Sequence, residues 1–294
     1  MRILVTGASG QVGRALLLTL PHHDLIAANR SLIDLSQPDA CHVVLGRLKP
    51  EIVINAAAYT AVDQAESQSD VATLVNAEAP AAMARWAAEH GVPFVHFSTD
   101  YVFDGQGSVP RREIDSPAQL SVYGWTKLRG EKAVQAAGGK HLIVRTSWVF
   151  SAIGKNFMRT IASLALDRKE LRVVADQIGA PTSAALIADC LNKMLANGLE
   201  NFDQCCAKSR GLVNLAAAGE TSWHGFACAI VDGLRKREID LAVETIVPIS
   251  TKEYQTPARR PLNSRLDLTR LRGFFSIYPD NWRTRLETEL DLLA

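Results

Sequence analysis

The glycine spacing after the first apolar run constrains the fold more than any other feature of this sequence. Gly7, Gly10 and Gly13 lie in TGASGQVGR (6–14), between a strand-like segment and a helix-like one. Such glycines permit a tight turn, let backbone N–H groups approach a pyrophosphate, and allow close packing of helix on strand. A helix N-terminus also attracts anions. The motif predicts that these glycines bind a dinucleotide; the alternative is a glycine-rich turn without a ligand.

Strand-like and helix-like segments alternate through the first half of the chain. The β-branched runs are at 2–7, 25–29, 51–58, 93–100, 141–147 and 171–176, and helix-like stretches at 11–20, 70–90 and 121–137 lie among them. This alternation is typical of an α/β fold with a doubly wound parallel sheet. Beyond about residue 148 it blurs. We therefore expect a dinucleotide-binding domain over 1–150, with return segments near 170–187 and 212–232, and a mostly substrate-binding part over 151–294.

The composition is that of an ordinary globular protein. Of 294 residues, 47% are hydrophobic and 21% charged, and the net charge of +1 gives no reason to expect a nucleic-acid or acidic-membrane partner. No apolar run reaches the ~20 residues of a membrane helix, and no signal-like leader opens the sequence. Five cysteines without a CxxC pair suit free thiols, so we expect a cytoplasmic protein. The seven histidines lack ligand-like spacing; no metal site is predicted, and His96 is expected to be a core residue.

The end of the second strand-like run bears on the choice of dinucleotide. NAD sites usually place an acidic residue about 20 residues after the glycines. Here Asn29 and Arg30 occupy that place, and the first acid is Asp34. An arginine fork suits a 2′-phosphate, so NADPH is predicted and NADH remains possible; the alternative is a solvated arginine. Asp34 and Leu35 are predicted to lie beside the adenine.

Two further strand ends carry candidate ligand contacts. INAAAYTAVD (54–63) puts small residues where a backbone can pass close to a flat ligand, although tight sheet–helix packing also uses alanine. HFSTDYVFDG (96–105) ends in hydroxyl, carboxylate and phenol groups, at the edge where ligands bind in open α/β sheets. Thr99 is the strongest candidate there for contact with a ligand. Asp100 is a second candidate, and the alternative is that it only caps the loop.

The stretch SVYGWTKLRGEK (121–132) sets Tyr123 four residues before Lys127, on one helix face, beside two helix-weakening glycines. An adjacent ammonium is expected to lower the pKa of the phenol, making Tyr123 a general acid or base beside a nicotinamide. Lys127 is expected to hold the cofactor ribose, and Thr99 to hydrogen-bond the substrate carbonyl. Because such a pair also arises by chance, the prediction depends on the glycine turn and the strand end that accompany it.

Together with RTSWVF (145–150), DQIGAPT (176–182) and TPARRPLNSRL (256–266), these motifs resemble the extended short-chain dehydrogenase/reductase superfamily and, within it, the dTDP-4-dehydrorhamnose reductases. The resemblance implies NAD(P)H-dependent reduction of dTDP-4-dehydro-L-rhamnose, with Tyr123 as proton donor. The residues it places along the cofactor are Gly10, Gln11, Val12, Ala56, Ala57, Tyr59, Thr60 and Lys127. Those it places on the sugar are Thr99, Asp100 and Trp148. Trp148 has an ordinary core role as its alternative. Asn156 and Arg260 are further candidates for the nucleotide, although such loops are usually only solvated.

Two other functions remain open. A related epimerase or dehydratase would keep its nicotinamide bound, but dehydratases usually carry Asp-Glu after the threonine, where this chain has Asp100-Tyr101. A regulatory subunit of a methionine adenosyltransferase can keep the tyrosine–lysine pair. Trp148, which suits a deoxysugar, favours the reductase.

The sequence departs from the family at a metal site. Some members hold Mg²⁺ across a dimer interface with glutamates whose positions here are Ala15 and Ala184-Ala185; Glu289 could be a third. Mg²⁺ is usually held by carboxylates in partnership, and alanine offers none. We therefore expect a monomer, or a homodimer without a metal bridge.

Overall fold

Six parallel strands form the central sheet of the computed structural model, which describes residues 1–293. The strands of the chain are β1 Arg2–Thr6, β2 Asp24–Ala28, β3 Ile52–Asn55, β4 Phe94–Thr99, β5 His141–Thr146, β6 Val149–Phe150, β7 Glu170–Val174, β8 Ile178–Gly179, β9 Thr182–Ser183, β10 Leu212–Asn214, β11 Thr221–Ser222 and β12 Thr245–Ile249. The order in the central sheet is β10-β5-β4-β3-β1-β2, which confirms the predicted doubly wound α/β fold.

Helices cover both faces of this sheet. They are α1 Gln11–Thr19, α2 Pro38–Leu48, α3 Val62–Ala65, α4 Ser69–Thr73, α5 Ala79–Glu89, α6 Val122–Ala136, α7 Phe157–Asp167, α8 Ala184–Leu195, α9 Gly198–Lys208, α10 Trp223–Lys236, α11 Thr269–Phe275 and α12 Trp282–Asp291. A π-helical turn, Leu74–Glu78, joins α4 to α5, and a 3₁₀ turn, Asp100–Val102, follows β4. No helix within residues 1–293 is long and apolar enough to cross a membrane.

The central strands are apolar on both faces because each face has a core to fill. Successive side chains of a strand point to opposite sides of the sheet. Accordingly, Ile3 and Val5 belong to the core that includes α1 and α8, whereas Leu4 belongs to the core under α2 and α5. All three are fully buried. This two-sided burial is the physical reason that the strands appear as continuous apolar runs.

The strand order changes direction between β1 and β3. From β1 the chain moves outward to β2, then returns to β3 on the other side of β1 and continues through β4 and β5. Such a switch point opens a crevice at the carboxyl ends of the strands, where ligands bind in this architecture. The glycine turn after β1 and the alanines after β3 therefore meet across one crevice.

The sixth strand of the sheet is not the run that the alternation indicates. The segment 171–176 overlaps β7, which pairs with β12 in a separate two-stranded sheet. The sixth position belongs to β10, only three residues long, which pairs with β5. A strand that short carries almost no periodic signal, so its place is decided by tertiary pairing. The division of the chain into two functional domains stays a prediction.

Candidate active site

The glycine-rich turn after β1 leaves no room for side chains. Gly7 has a left-handed backbone (φ 64°), and a Cβ added to it would lie 2.7 Å from the backbone nitrogen of Ala57. A Cβ on Gly13 would lie 2.1 Å from the carbonyl oxygen of Gly7, so Gly13 serves the packing of α1 on the turn. Gly10 precedes α1, and no side chain caps that helix. Its first-turn N–H groups are therefore free to bind an anion.

A cleft of about 690 Å³ runs from this turn along the carboxyl edge of the sheet. The predicted residues that line it are Gly7, Gly10, Gln11, Val12, Ala56, Ala57, Thr60, Thr99, Asp100, Tyr123, Lys127, Trp148 and Asn156. They are far apart in sequence. They meet because the carboxyl ends of parallel strands, and the loops that leave them, share one edge.

The two glycines of α6 explain how Tyr123 and Lys127 reach that edge. A Cβ on Gly124 would lie 2.2 Å from the carbonyl oxygen of Tyr101, and one on Gly130 would lie 2.1 Å from that of Asn76, in the π-helical turn. These glycines let α6 pack directly on neighbouring backbone. Ser121 caps the helix by accepting a hydrogen bond from the Gly124 N–H at 3.2 Å. Close packing of α6 on its neighbours thus explains why two glycines, which weaken a helix, occur in it.

The phenol of Tyr123 is half-buried in the cleft wall, with its ring 5.4 Å from that of Tyr101 in an edge-to-face arrangement. Burial raises the pKa of Tyr123 to about 12; a hydrogen bond with Thr99 acts in the opposite direction, and the charge of Asp100 adds to the rise. The expectation that Lys127 lowers this pKa is wrong for this geometry. Tyr123 therefore carries its proton at neutral pH.

Lys127 is buried, and its Nζ atom is directed inward. It donates to the backbone oxygen of Phe97 at 2.6 Å and lies 3.3 Å from Nε2 of His96. Burial lowers the pKa of Lys127 to about 8, and the nearby Glu131 partly opposes that shift. Fixed contacts on two sides hold the lysine in one orientation.

Thr99 and Asp100 form a buried polar end to β4. Thr99 Oγ1 donates to Asp100 Oδ1 at 3.1 Å and accepts from the Tyr101 N–H at 3.2 Å. Burial raises the pKa of Asp100 to about 6, although hydrogen bonds from Ser264 and Thr99 favour the carboxylate. Its other oxygen, Oδ2, is buried and has no hydrogen-bond partner within residues 1–293. Such an atom is a typical place for a ligand or an ordered water to bind.

Trp148 stands on the opposite wall of the cleft in a strained backbone conformation (φ 51°). Its ring stacks on that of Trp223 at 3.6 Å and 11°. A Cβ on Gly179 would lie 2.7 Å from the Trp148 ring, so only glycine fits beneath it. A positive φ at a tryptophan is unusual and is maintained here by contacts on both sides.

Asn156 occupies the rim between this wall and α1. It caps α7 by accepting from the Arg159 N–H, and its Nδ2 donates to Gln11 Oε1 at 2.9 Å and to the Ser151 carbonyl at 2.8 Å. Its side-chain groups are thus engaged within the chain. The observed role is to tie the 151–156 loop to the start of α1.

The residues predicted around the adenine end lie outside the cleft. Asn29 forms a turn by accepting from Ser31 and Leu32, and Arg30 is exposed, with its Nε 3.4 Å from Asp34 Oδ1. Hydrogen bonds from Ser36 lower the pKa of Asp34. Leu35 is buried, 6% exposed, in the core under α2. These residues follow β2, on the far side of the glycine turn.

Tyr59 and Arg260 also point elsewhere. The Tyr59 hydroxyl donates to Gln68 Oε1 at 2.8 Å on the surface. Arg260 forms a two-pronged ion pair with Asp63, at 2.7 and 3.1 Å, which ties the C-terminal loop to α3. The guanidinium fork is engaged by that carboxylate, so the structure gives no support to the assignment of Arg260 to the nucleotide.

Sequence reasoning missed Trp223 and the buried partners of Lys127. Trp223 begins α10 after the Ser222 cap, and its ring N–H donates to Gln177 Oε1 at 3.1 Å. No pattern in the sequence connects position 223 with position 148. Lys155, at the rim of the cleft, was missed as well, although it precedes Asn156 directly.

The fold and this constellation define an extended short-chain dehydrogenase/reductase, an oxidoreductase built around a dinucleotide. The family model described as "RmlD substrate binding domain" matches residues 1–294, and the chain belongs to this family, that of the dTDP-4-dehydrorhamnose reductases.

Individual relatives are similar over their whole lengths. The dTDP-4-dehydrorhamnose reductase of Burkholderia thailandensis is 46% identical over 286 residues, which cover 96% of each chain. The crystal structure of a dTDP-4-dehydrorhamnose reductase from Clostridium acetobutylicum has a TM-score of 0.90 at 36% identity, covering 100% of this chain and 99% of that one. The enzyme of Bacillus anthracis in complex with NADP has a TM-score of 0.88 at 34% identity, covering 99% of each.

Proposed function

We infer that this protein uses NADPH to reduce the 4-keto group of dTDP-4-dehydro-L-rhamnose to dTDP-L-rhamnose, for carbohydrate biosynthesis. The observation that carries the inference is that Tyr123, Lys127 and Thr99 meet in one cleft with the glycine-rich turn. The family of the chain and the NADP complex of the Bacillus anthracis relative support it. We place the activity in the cytoplasm, without a nucleic-acid partner, in keeping with the net charge of +1.

The shape of the turn fits the cofactor. Gly7 and Gly10 line the cleft without side chains, and the uncapped start of α1 offers N–H donors to a pyrophosphate. Gln11 and Val12 would hold the pyrophosphate, Ala56 and Ala57 would lie along the cofactor, and Lys127 would hold the ribose. When bound, NADPH supplies the hydride for the reduction.

The protein itself supplies the proton for the reduction and positions the substrate to receive it. Tyr123 keeps its proton at neutral pH, since a tyrosine ordinarily titrates near a pKa of about 10 and burial raises the pKa of Tyr123 further, to about 12. It can give that proton to the carbonyl oxygen as the oxygen gains negative charge. The Thr99 hydroxyl, which donates to Asp100 Oδ1 at 3.1 Å, would turn its proton to the same oxygen and stabilise the charge. The part of the Trp148 ring that faces the cleft, held in place by Trp223, offers an apolar surface to the deoxysugar.

The direct test is to incubate the protein with NADPH and dTDP-4-dehydro-L-rhamnose and to follow both the loss of NADPH absorbance and the identity of the product. Stoichiometric NADPH oxidation with dTDP-L-rhamnose as product is expected. Conversion of a sugar nucleotide without net NADPH oxidation would instead indicate an epimerase or dehydratase. No turnover of any 4-keto sugar nucleotide would contradict the proposal. It would favour the alternative hypothesis, a regulatory subunit of a methionine adenosyltransferase.

A further inference from the structure

The indole of Trp148 has a second indole, that of Trp223, stacked upon it. The two ring centroids are 3.6 Å apart, and the ring planes differ by 11°. Trp148 lines the cleft, whereas Trp223 is not among the lining residues within 1–293 and lies behind it. Whatever fixes the plane of the Trp223 ring therefore also limits the plane of the indole that faces a ligand.

A short antiparallel strand pair brings Trp223 to this place. β11 pairs with β8, so that Ser222 lies opposite Ile178, and Trp223 begins α10 directly after the Ser222 cap. The ring of Phe157 lies 4.5 Å from that of Trp223, tilted by 46°. The torsion that turns an indole about its Cβ–Cγ bond has broad minima, so a directional contact is needed to select one plane.

That contact comes from a chain of hydrogen bonds beside the start of β8. Trp223 Nε1 donates to Gln177 Oε1 at 3.1 Å, and Gln177 Nε2 donates to Thr251 Oγ1 at 3.1 Å. Thr251 Oγ1 in turn donates to Asp176 Oδ1 at 2.6 Å. The backbone N–H of Thr251 also donates to both oxygens of Asp176, at 2.9 and 3.0 Å. Gln177, in the middle of the chain, is only 5% exposed.

Only one direction of this chain satisfies every group. An indole N–H is a donor and never an acceptor, so it requires the amide oxygen of Gln177. The amide nitrogen then faces the Thr251 hydroxyl, which accepts and gives its own proton to the carboxylate of Asp176. The reverse placement of the amide would set two N–H donors against each other, and an unmade buried hydrogen bond is costly.

We propose that Trp223 and Gln177 are positioning residues of the sugar site, which hold the Trp148 indole in the plane that the sugar of the substrate contacts. The proposal rests on the function inferred above. Trp148 needs such support because its backbone φ of 51° is a conformation that bulky side chains rarely adopt. Neither positioning residue contacts the substrate; both act through Trp148.

This role has a consequence that a general loss of folding does not share. The compound dTDP carries the nucleotide of the proposed substrate without its sugar. A change in the Trp148 ring should therefore weaken the binding of dTDP-L-rhamnose and leave that of dTDP nearly unchanged. The ratio of the two affinities measures the contribution of the sugar, because damage to the nucleotide contacts lowers both affinities together.

Isothermal titration calorimetry of the full-length protein with NADP present gives this ratio. In Trp223→Leu we expect the affinity for dTDP-L-rhamnose to fall about two- to tenfold relative to that for dTDP, the size of one aromatic contact. Gln177→Met, which retains the side-chain length and removes both hydrogen bonds, should change the ratio in the same direction. Trp125→Leu, at an exposed indole on α6, is the matched control and should not change it. An unchanged ratio in both Trp223→Leu and Gln177→Met would refute the proposal.

A second measurement follows the hydrogen bond itself. The chain has five tryptophans, so ¹H–¹⁵N spectra of protein labelled at the indole nitrogens are simple, and Trp223→Phe and Trp148→Phe assign two of the signals. We expect the Trp223 N–H to exchange slowly with solvent and to exchange faster in Gln177→Met. The Trp148 signal should shift in that variant, although Gln177 does not touch the cleft. A Trp148 signal that stays in place, or a Trp223 N–H that exchanges as fast as that of Trp125, would overturn the proposal.

The two measurements separate this proposal from the proposed function. If the wild-type protein reduces no 4-keto sugar nucleotide and binds dTDP-L-rhamnose no more tightly than dTDP, the proposed function fails. The indole signals then still decide whether Gln177 and Trp223 orient Trp148.

Discussion

Tyr123 is the phenol of the cleft that can serve as a proton donor, since it is protonated at neutral pH and its burial raises its pKa to about 12. Replacement by phenylalanine removes the proton donor and one oxygen but retains the ring that packs on Tyr101. General acid catalysis contributes about two to four orders of magnitude, so kcat of Tyr123→Phe should fall by that factor. NADPH binding, measured by fluorescence titration, should persist. Turnover close to that of the wild type would exclude Tyr123 as the acid.

Arg30 is exposed, and its partner Asp34 lies within its own loop, so the guanidinium can turn toward a 2′-phosphate at little cost. Arg30→Ala should raise the KM for NADPH and leave that for NADH nearly unchanged. The two values of kcat/KM, measured with the same substrate, give the preference directly. Arg47→Ala, on the outer helix α2, is a suitable control. A constant preference would make Arg30 a surface residue without a role in cofactor choice.

Asp100 should make the stability of the protein depend on pH. Its folded pKa of about 6 lies above the unfolded value of about 3.9, so the folded state holds this proton more tightly. Stability therefore falls as pH rises between these values, and the full cost of about 3 kcal/mol is present above pH 6. Asp100→Asn removes this dependence.

The measurement is urea unfolding of the two proteins at several pH values. The stability of Asp100→Asn relative to the wild type should increase from about pH 4 to about pH 6 and then level off. If the amide also changes the free energy of unfolding by an amount that is independent of pH, the change of this difference with pH is not affected. A difference that is independent of pH over this range would show that Asp100 does not titrate as its burial indicates.

At the scale of elements, α6 acts as a rigid support whose position is set by backbone contacts. Gly130→Ala would place a methyl group 2.1 Å from the carbonyl oxygen of Asn76, so α6 and the π-helical turn would have to separate. Overpacking of this kind costs about 1–3 kcal/mol. Because Tyr123 and Lys127 lie on the same helix, kcat should fall as well.

Gly273→Ala is the matched control within α11. A Cβ there meets nothing within 4 Å, and alanine is the better helix former by about 0.5–1 kcal/mol, so this variant should be slightly more stable than the wild type. Thermal unfolding of both variants gives the comparison. If Gly130→Ala were as stable as Gly273→Ala, direct backbone packing would not be the reason for glycine at 130.

At the scale of the whole molecule, Glu289 bears on assembly. This carboxylate is buried and accepts from the Ala152 N–H at 2.6 Å, so it serves to fix the 151–156 loop against α12. Ala15 and Ala184 offer no side-chain oxygen. Mg²⁺ is usually held by carboxylates in partnership. We therefore still predict that no metal bridges two subunits.

Sedimentation velocity and activity, each with EDTA and with added Mg²⁺, test this prediction. Both the sedimentation coefficient and the rate should be the same in the two conditions. A shift from monomer to dimer on addition of Mg²⁺ would contradict it and would point to ligands outside the three positions considered.

Features that depend on local chemistry could be predicted from the sequence. Gly7 and Gly13 are required wherever a tight turn joins this strand to this helix, and apolar runs buried on both faces specify central parallel strands. Helix geometry alone places Tyr123 and Lys127, four residues apart, on the same face of α6. These are short-range rules, which a linear pattern records.

Features that depend on long-range contacts could not be predicted and are visible only in the folded chain. The pairing of β7 with β12, the stacking of Trp223 on Trp148 and the ion pair of Arg260 with Asp63 join residues that no pattern connects. The pKa of Tyr123 was predicted in the wrong direction because burial, a property of the whole packed site, outweighs its neighbour in the helix. The desolvation of a side chain depends on all the residues packed around it in the folded protein. The sequence directly shows only its neighbours along the chain.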